Sequence, residues 1–178
     1  MAEYYFDIET TGLNPLEDKI ITIQWQQLLG FTGEPIGQLN ILKEWESSEK
    51  EILKTFLPHL KTEKPFDFIM AGKNLPFDFM FLSHRSKKYG MNGLDMQYFY
   101  NRVSLDLKSI LVLINKGNFK GYDRVLDKTG SLAKVDVPKL YKEGKYSEII
   151  KYVRDEAEVF VKAYQILKKE MPKLEKLI

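Results

Sequence analysis

The chain has 178 residues, 44% of them hydrophobic and 29% charged, with two histidines and no cysteine. One domain over residues 1–170 with a short tail at 171–178 is expected, and disordered or fibrous classes are excluded. Without cysteine there is no disulfide, thiol catalysis, iron–sulfur cluster or thiolate zinc site, so any metal must be held mostly by oxygen. No apolar run approaches the roughly 18 residues of a membrane span, so no membrane association and a cytoplasmic location are expected. The net charge of +2 divides unevenly: residues 1–60 carry 4 basic and 10 acidic side chains, net −6, and residues 61–178 carry 23 and 15, net +8. That asymmetry fits an acidic metal site beside a surface that meets a polyanion, although a solvated Lys/Glu surface would also show it.

Three strands are predicted first, over 3–9, 20–29 and 36–45, from their β-branched and aromatic content and the turn residues between them. Ser48-Glu-Lys-Glu51 is a capping box opening a helix with Ile52, Leu53, Phe56, Leu57 and Leu60 on one face. The apolar run 66–71 reads as a buried strand, and 76–88 as a helix with proline near its start. The remainder reads as helical, over about 105–116, 121–128 and 146–169. Strands first, helices later and one strand between helices indicate an α/β domain with a mixed central sheet flanked by helices.

Phe6-Asp7-Ile8-Glu9-Thr10-Thr11-Gly12-Leu13 is the most informative stretch. Side chains alternate along a strand, so Asp7 and Glu9 point the same way. Two carboxylates on one apolar strand repel each other unless a hard divalent cation lies between them or both face solvent. Asp78 follows the buried strand within Leu75-Pro76-Phe77-Asp78-Phe79, an acid at a helix start among apolar neighbours. On the last helix, a period of about 100° per residue puts Ile149, Tyr152, Glu156, Phe160, Ala163 and Leu167 on one face, with Glu156 mid-stripe and Asp155 on its flank.

These residues, in this order, resemble the three motifs of the DEDD superfamily, the DnaQ-like 3′-to-5′ exonucleases. The later part, from Arg102-Val-Ser-Leu-Asp-Leu107 to the Tyr152 helix, looks most like the proofreading domain of family-B DNA polymerases, standing without a polymerase. The resemblance implies a ribonuclease-H-like exonuclease fold and two divalent cations, Mg²⁺ or Mn²⁺, held by four carboxylates. Asp7, Glu9 and Asp78 carry over directly, with Asp7 expected to bridge the two cations. Substrate contacts are implied for Thr10, Thr11, Gly12, Leu13, Asn74 and Phe77. The third motif departs from the pattern, which has an aspartate four residues after a tyrosine or five after a histidine: four after Tyr152 stands Glu156, and five before Asp155 stands Ile150. Either Glu156 is the fourth acid with Tyr152 orienting the attacking water, or Asp155 is the ligand and Lys151 stands at the tyrosine position. Periodicity favours Glu156.

The implied reaction is hydrolysis of single-stranded DNA from a free 3′ end with release of nucleoside 5′-monophosphates. RNA as substrate and a non-catalytic single-strand-binding module are the alternatives. Lys73, Arg85, Lys87, Lys88, Arg102, Lys108, Lys116, Lys120 and Arg124 are candidate phosphate contacts. Tyr98, Phe99, Tyr100, Phe119 and Tyr122 are candidate stacking platforms.

Overall fold

The computed structural model describes residues 2–61, 66–91, 94–120 and 135–170. Its centre is a mixed five-stranded sheet in the order β3-β2-β1-β4-β5. β1 (Glu3–Thr10), β2 (Ile20–Leu28) and β3 (Pro35–Lys43) form an antiparallel meander, and β4 (Ile69–Gly72) and β5 (Ser104–Asp106) add in parallel beyond β1. The helices are α1 (Glu49–Leu60), α2 (Leu75–Lys88), α3 (Met96–Tyr100), α4 (Leu107–Ile114), α5 (Val137–Lys142) and α6 (Tyr146–Glu170).

The period of two in β1 divides its side chains between two cores. Phe6 and Ile8 face one way and pack with Ile52, Leu53, Phe56 and Leu57 of α1 and Leu75, Phe79 and Leu82 of α2. Tyr5 faces the other way, onto Leu107 and Leu111 of α4 and Ala157, Phe160 and Tyr164 of α6. A third cluster joins Ile21 of β2 to Val137 of α5 and to Ile149 and Val153 of α6. Ser48 caps α1 by accepting from the Glu51 amide. Gly72 ends β4 where it presses on β1, and a Cβ there would stand 2.7 Å from the Phe6 carbonyl oxygen.

Several elements differ from the sequence expectation. Residues 44–46 form a 3-10 turn instead of continuing β3, and β4 starts at Ile69, after Phe66–Phe68. The helix expected from 105 is divided: Ser104–Asp106 pair with Met70–Gly72, and Asp106 then caps α4 by accepting from the Lys108 amide. A three-residue strand carries too little periodicity to be seen in sequence, and only its partner in the sheet creates it. The short helices α3 and α5 were not expected. The helix read over 121–128 and the tail at 171–178 lie outside the described residues, as do Tyr122 and Arg124.

The buried stripe of α6 comprises Ile149, Val153, Ala157, Phe160, Val161, Tyr164 and Lys168. It is rotated from the predicted one, so Tyr152 and Glu156 lie half-buried at its edge, and Glu156 is not mid-stripe. Lys168 is tolerated in the stripe because its ammonium meets Glu3 Oε1 at 2.7 Å, while the Tyr164 hydroxyl donates to Glu3 Oε2 at 2.7 Å.

Arg85, expected among the phosphate contacts, is instead buried in a forked pair with Glu49: its Nε and Nη2 each lie 2.7 Å from a carboxylate oxygen. Glu49 Oε1 also accepts from the Ile20 amide, its Oε2 from the Tyr89 hydroxyl, and Arg85 Nη1 reaches the Pro15 carbonyl. This network ties α1 and α2 to both the loop after β1 and the start of β2. Removing one partner of such a pair leaves an uncompensated buried charge. Arg85→Ala is therefore expected to lower the unfolding free energy by about 3–5 kcal/mol in urea titrations.

Candidate metal centre

Glu3, Tyr5, Asp7 and Glu9 share the β1 face that looks towards α6, by the alternation of the strand. Opposite them, α6 presents Lys168 and Tyr164 at Glu3, Phe160 against Tyr5, and Glu156 at Asp7 and Glu9. One carboxylate oxygen of each of Asp7, Glu9 and Glu156 lies within 4.8 Å of the other two. Asp7 is held from the side by Gln24, its partner across the β1–β2 ladder, whose Nε2 donates to Asp7 Oδ2 at 2.9 Å. Gln24 is itself fixed by the Thr22 hydroxyl, which donates to its Oε1 at 2.9 Å.

Asp78 enters from the first turn of α2. It is 2% exposed, and its Oδ1 accepts from the Ile8 amide at 3.1 Å. Burial and, second, the charge of Asp7 push its carboxyl well above the usual carboxylate range, against the opposing pull of backbone hydrogen bonds. Tyr152 hydrogen-bonds Glu156, and its phenol is pushed far up by burial and by the charges of Glu156, Glu9 and Asp7. Tyr5 is 2% exposed, and burial raises its phenol too, with the charges of Asp7, Glu156, Glu9 and Asp78 adding to the effect.

Asp155 goes elsewhere. Its carboxylate points along the outer flank of α6 to an ion pair with Lys151 at 2.6 Å, one turn away. The structure thus brings Glu156, and not Asp155, to Asp7 and Glu9.

The loop after β1 forms the rim of this centre. Thr10 is buried and its hydroxyl donates to the Gly12 carbonyl at 2.6 Å, while the Thr11 hydroxyl donates to Asp18 Oδ1 at 3.2 Å. Asp18 folds so tightly under the turn that a Cβ on Gly12 would lie 2.3 Å from its Oδ2. Leu13, in contrast, is 81% exposed at the loop crest. Phe77 packs on Phe81 at the edge of the α1–α2 core, with 4.9 Å between ring centres. Asn74 precedes α2 with φ +65°. Its amide donates to Asp106 Oδ1 at 2.8 Å, and its Oδ1 accepts from Lys108 Nζ at 2.7 Å.

Other expected nucleic-acid contacts are spent inside the fold. Arg102 is buried and donates to the Leu60 carbonyl, as does the Tyr98 hydroxyl, and Phe99 is a core residue stacked on Phe79. Tyr100 and Phe119 remain exposed. Gln24, Asp106 and Tyr5 were not singled out from the sequence. Gln24 and Asp106 come to their partners through strand register and sheet order, whereas Tyr5 was legible in principle, two residues before Asp7.

A family model described as the RNase_H superfamily matches residues 4–156. The chain belongs to the RNase H superfamily. An uncharacterized protein of Methanocaldococcus jannaschii is 33% identical over 111 residues, 62% of this chain and 55% of that one. A crystal structure of exonuclease I with the inhibitor BCBP superimposes with a TM-score of 0.52 at 11% identity, covering 67% of this chain and 31% of that one. Escherichia coli exonuclease I in complex with a dA16 oligonucleotide gives 0.51 at 13%, with the same coverage. At these identities the likeness is one of fold. This RNase H-superfamily chain thus spans about half the length of its archaeal relative and less than a third of the exonuclease I chains. The mixed sheet flanked by helices is the RNase H-like fold.

Nucleases of this fold use divalent metals, and the donor set here fits them. Carboxylate oxygens are the ligands that Mg²⁺ and Mn²⁺ prefer, and one oxygen from each of the three acids lies within 4.8 Å of the others, near enough to share one ion after small side-chain shifts. Asp7, Glu9 and Glu156 would hold such an ion, with Asp78 beside Asp7 as a fourth acid. In the cation-free protein Asp78 costs stability. The folded chain keeps its proton where the unfolded chain has lost it, so stability linked to this group is full below the ordinary value of about 3.9 and is lost as pH rises towards the higher folded value. Asp78→Asn keeps the acceptor for the Ile8 amide without the charge. In EDTA this variant is expected to melt above the parent at neutral pH, with the gap closing as the pH approaches about 4. Thermal denaturation at several pH values reads both effects.

Proposed function

We propose that the protein is a metal-dependent 3′-to-5′ exonuclease that hydrolyses single-stranded DNA and releases nucleoside 5′-monophosphates. The observation that carries this reading is the meeting of Asp7, Glu9 and Glu156 at the end of β1, next to buried Asp78, in a chain of the RNase H superfamily. Two divalent cations, Mg²⁺ or Mn²⁺, would supply an activated water and neutralise charge on the departing 3′ oxygen. The residues of the chain do the rest. Without a counter-charge the carboxylates of Asp7, Glu9 and Glu156 repel a phosphodiester, so binding and cleavage of the strand both depend on their being neutralised. Gln24 keeps Asp7 in one orientation through its 2.9 Å hydrogen bond.

Tyr152 is a donor in this reaction and not the base. Its phenol is raised far above neutrality, so it keeps its proton and donates a hydrogen bond to Glu156, while its oxygen accepts from the attacking water and so orients it. Leu13, exposed at the loop crest, and Phe77 are apolar surfaces on which the terminal base would rest, and Asn74 would contact the sugar-phosphate chain. Exonuclease I in complex with dT13 and dA16 oligonucleotides shares this fold, which supports a single-stranded DNA substrate.

End-labelled DNA and RNA oligonucleotides incubated with Mn²⁺, Mg²⁺ or EDTA test the proposal. Cleavage of single-stranded DNA from the 3′ end is expected with either ion and none with EDTA; a blocked 3′ end should protect, and added salt should slow the reaction. Degradation starting at the 5′ end overturns the polarity, and preference for RNA overturns the substrate. Asp7→Ala and Glu156→Ala are expected to reduce the rate at least a hundred-fold, while Asp155→Ala stays close to the parent. The reverse result for the last two would move the fourth ligand to Asp155.

A further inference from the structure

One buried polar atom at this centre has no partner. The Tyr5 hydroxyl is sealed from solvent and makes no hydrogen bond to any described residue. Its ring does ordinary core work: it lies 4.9 Å from the Phe160 ring, centre to centre, and packs among Ala71, Leu107, Leu111 and Ala157. Phenylalanine would fill that space equally well. A hydroxyl buried without a partner is unfavourable, so the oxygen is a burden on the fold in the cation-free state.

The position of the hydroxyl explains the burden. Tyr5 shares the α6-facing side of β1 with Asp7 and Glu9, and Phe160, its ring partner, lies one helical turn beyond Glu156. All four acids of the centre act on it. A phenol O–H is a donor at neutral pH, and carboxylates are acceptors only. We propose, on the reading of this centre as a cation site, that Tyr5 is a positioning residue: its hydroxyl donates to a carboxylate oxygen that comes within reach only when a divalent cation draws Asp7, Glu9 and Glu156 together. The bond orients a ligand from behind, the role that hydrogen bonds to ligating side chains play at other metal sites. It also links cation binding to the β1–α6 core, since the ring is clamped against Phe160.

Tyr5→Phe tests this with Mn²⁺ alone and no nucleic acid. Titration calorimetry is expected to show affinity for Mn²⁺ reduced about ten-fold, the lower end of what loss of such a bond costs. Thermal denaturation in EDTA is expected to show the variant at least as stable as the parent, because the unpartnered hydroxyl is gone. Unchanged Mn²⁺ affinity overturns the proposal: the hydroxyl then serves something other than the ligands, such as a permanently buried water. A melting temperature in EDTA below the parent's also overturns it, because the hydroxyl would then have a partner in the cation-free fold. A parent that binds Mn²⁺ but cleaves no oligonucleotide overturns the nuclease reading and leaves the assignment of Tyr5 standing. A parent that cleaves, with a Tyr5→Phe variant of equal Mn²⁺ affinity, does the opposite.

Discussion

The alignment of β1 with α6 is the constraint on which the rest of the molecule depends. Alternate residues of the strand meet successive turns of the helix as far as Asp7, and Glu9 shares the last of them: Glu3 with Lys168 and Tyr164, Tyr5 with Phe160, Asp7 and Glu9 with Glu156. The two periodicities allow this, because two residues of strand advance about 6.7 Å and four residues of helix about 6 Å. The ion pair and the aromatic contact at one end set the position of the helix, and the acids at the other end inherit it. A slip of one residue in either element would turn the acids away from one another.

Bringing like charges together is unfavourable, and the fold meets that cost with structure on three sides. Gln24 steadies Asp7 across the β1–β2 ladder, the Ile8 amide steadies Asp78, and the Phe160 ring holds Tyr5 in place. What remains uncompensated is a carboxyl raised by burial and a hydroxyl without an acceptor. Both are liabilities for an empty protein and assets for one that binds a cation, the trade between stability and activity that functional sites commonly show.

The basic second half of the chain has a more mixed role than its charge suggests. Arg85 and Arg102 are buried, the first holding α1 and α2 to the loop that carries Leu13, the second satisfying the last carbonyl of α1. Lys168 neutralises Glu3, and Lys108 binds Asn74. Several cations that composition alone assigns to a polyanionic partner therefore act within the protein, and two of them, Arg85 and Lys108, hold the rim of the centre.

Much of the fold and the core of the centre were legible in the sequence, because they rest on local geometry. Alternation along a strand puts Asp7 and Glu9 on one face wherever the strand lies; the capping box at Ser48 starts α1, and Asp78 marks the first turn of α2 in any packing. What local geometry could not supply was the rotation of α6. The same sequence allows Glu156 or Asp155 to turn inward, and the choice falls to Val153, Ala157, Val161 and Tyr164, which bury themselves against β1, β2 and α4 and leave Asp155 to Lys151. Gln24 beside Asp7, Asp106 beside Asn74 and Arg85 inside the core likewise depend on register and sheet order. Sequence alone therefore determined which acids could belong to the centre, because that follows from backbone periodicity. Only the tertiary structure decided which fourth acid joins them and what holds them there, because helix rotation and strand pairing are settled by the burial of residues far apart in the chain.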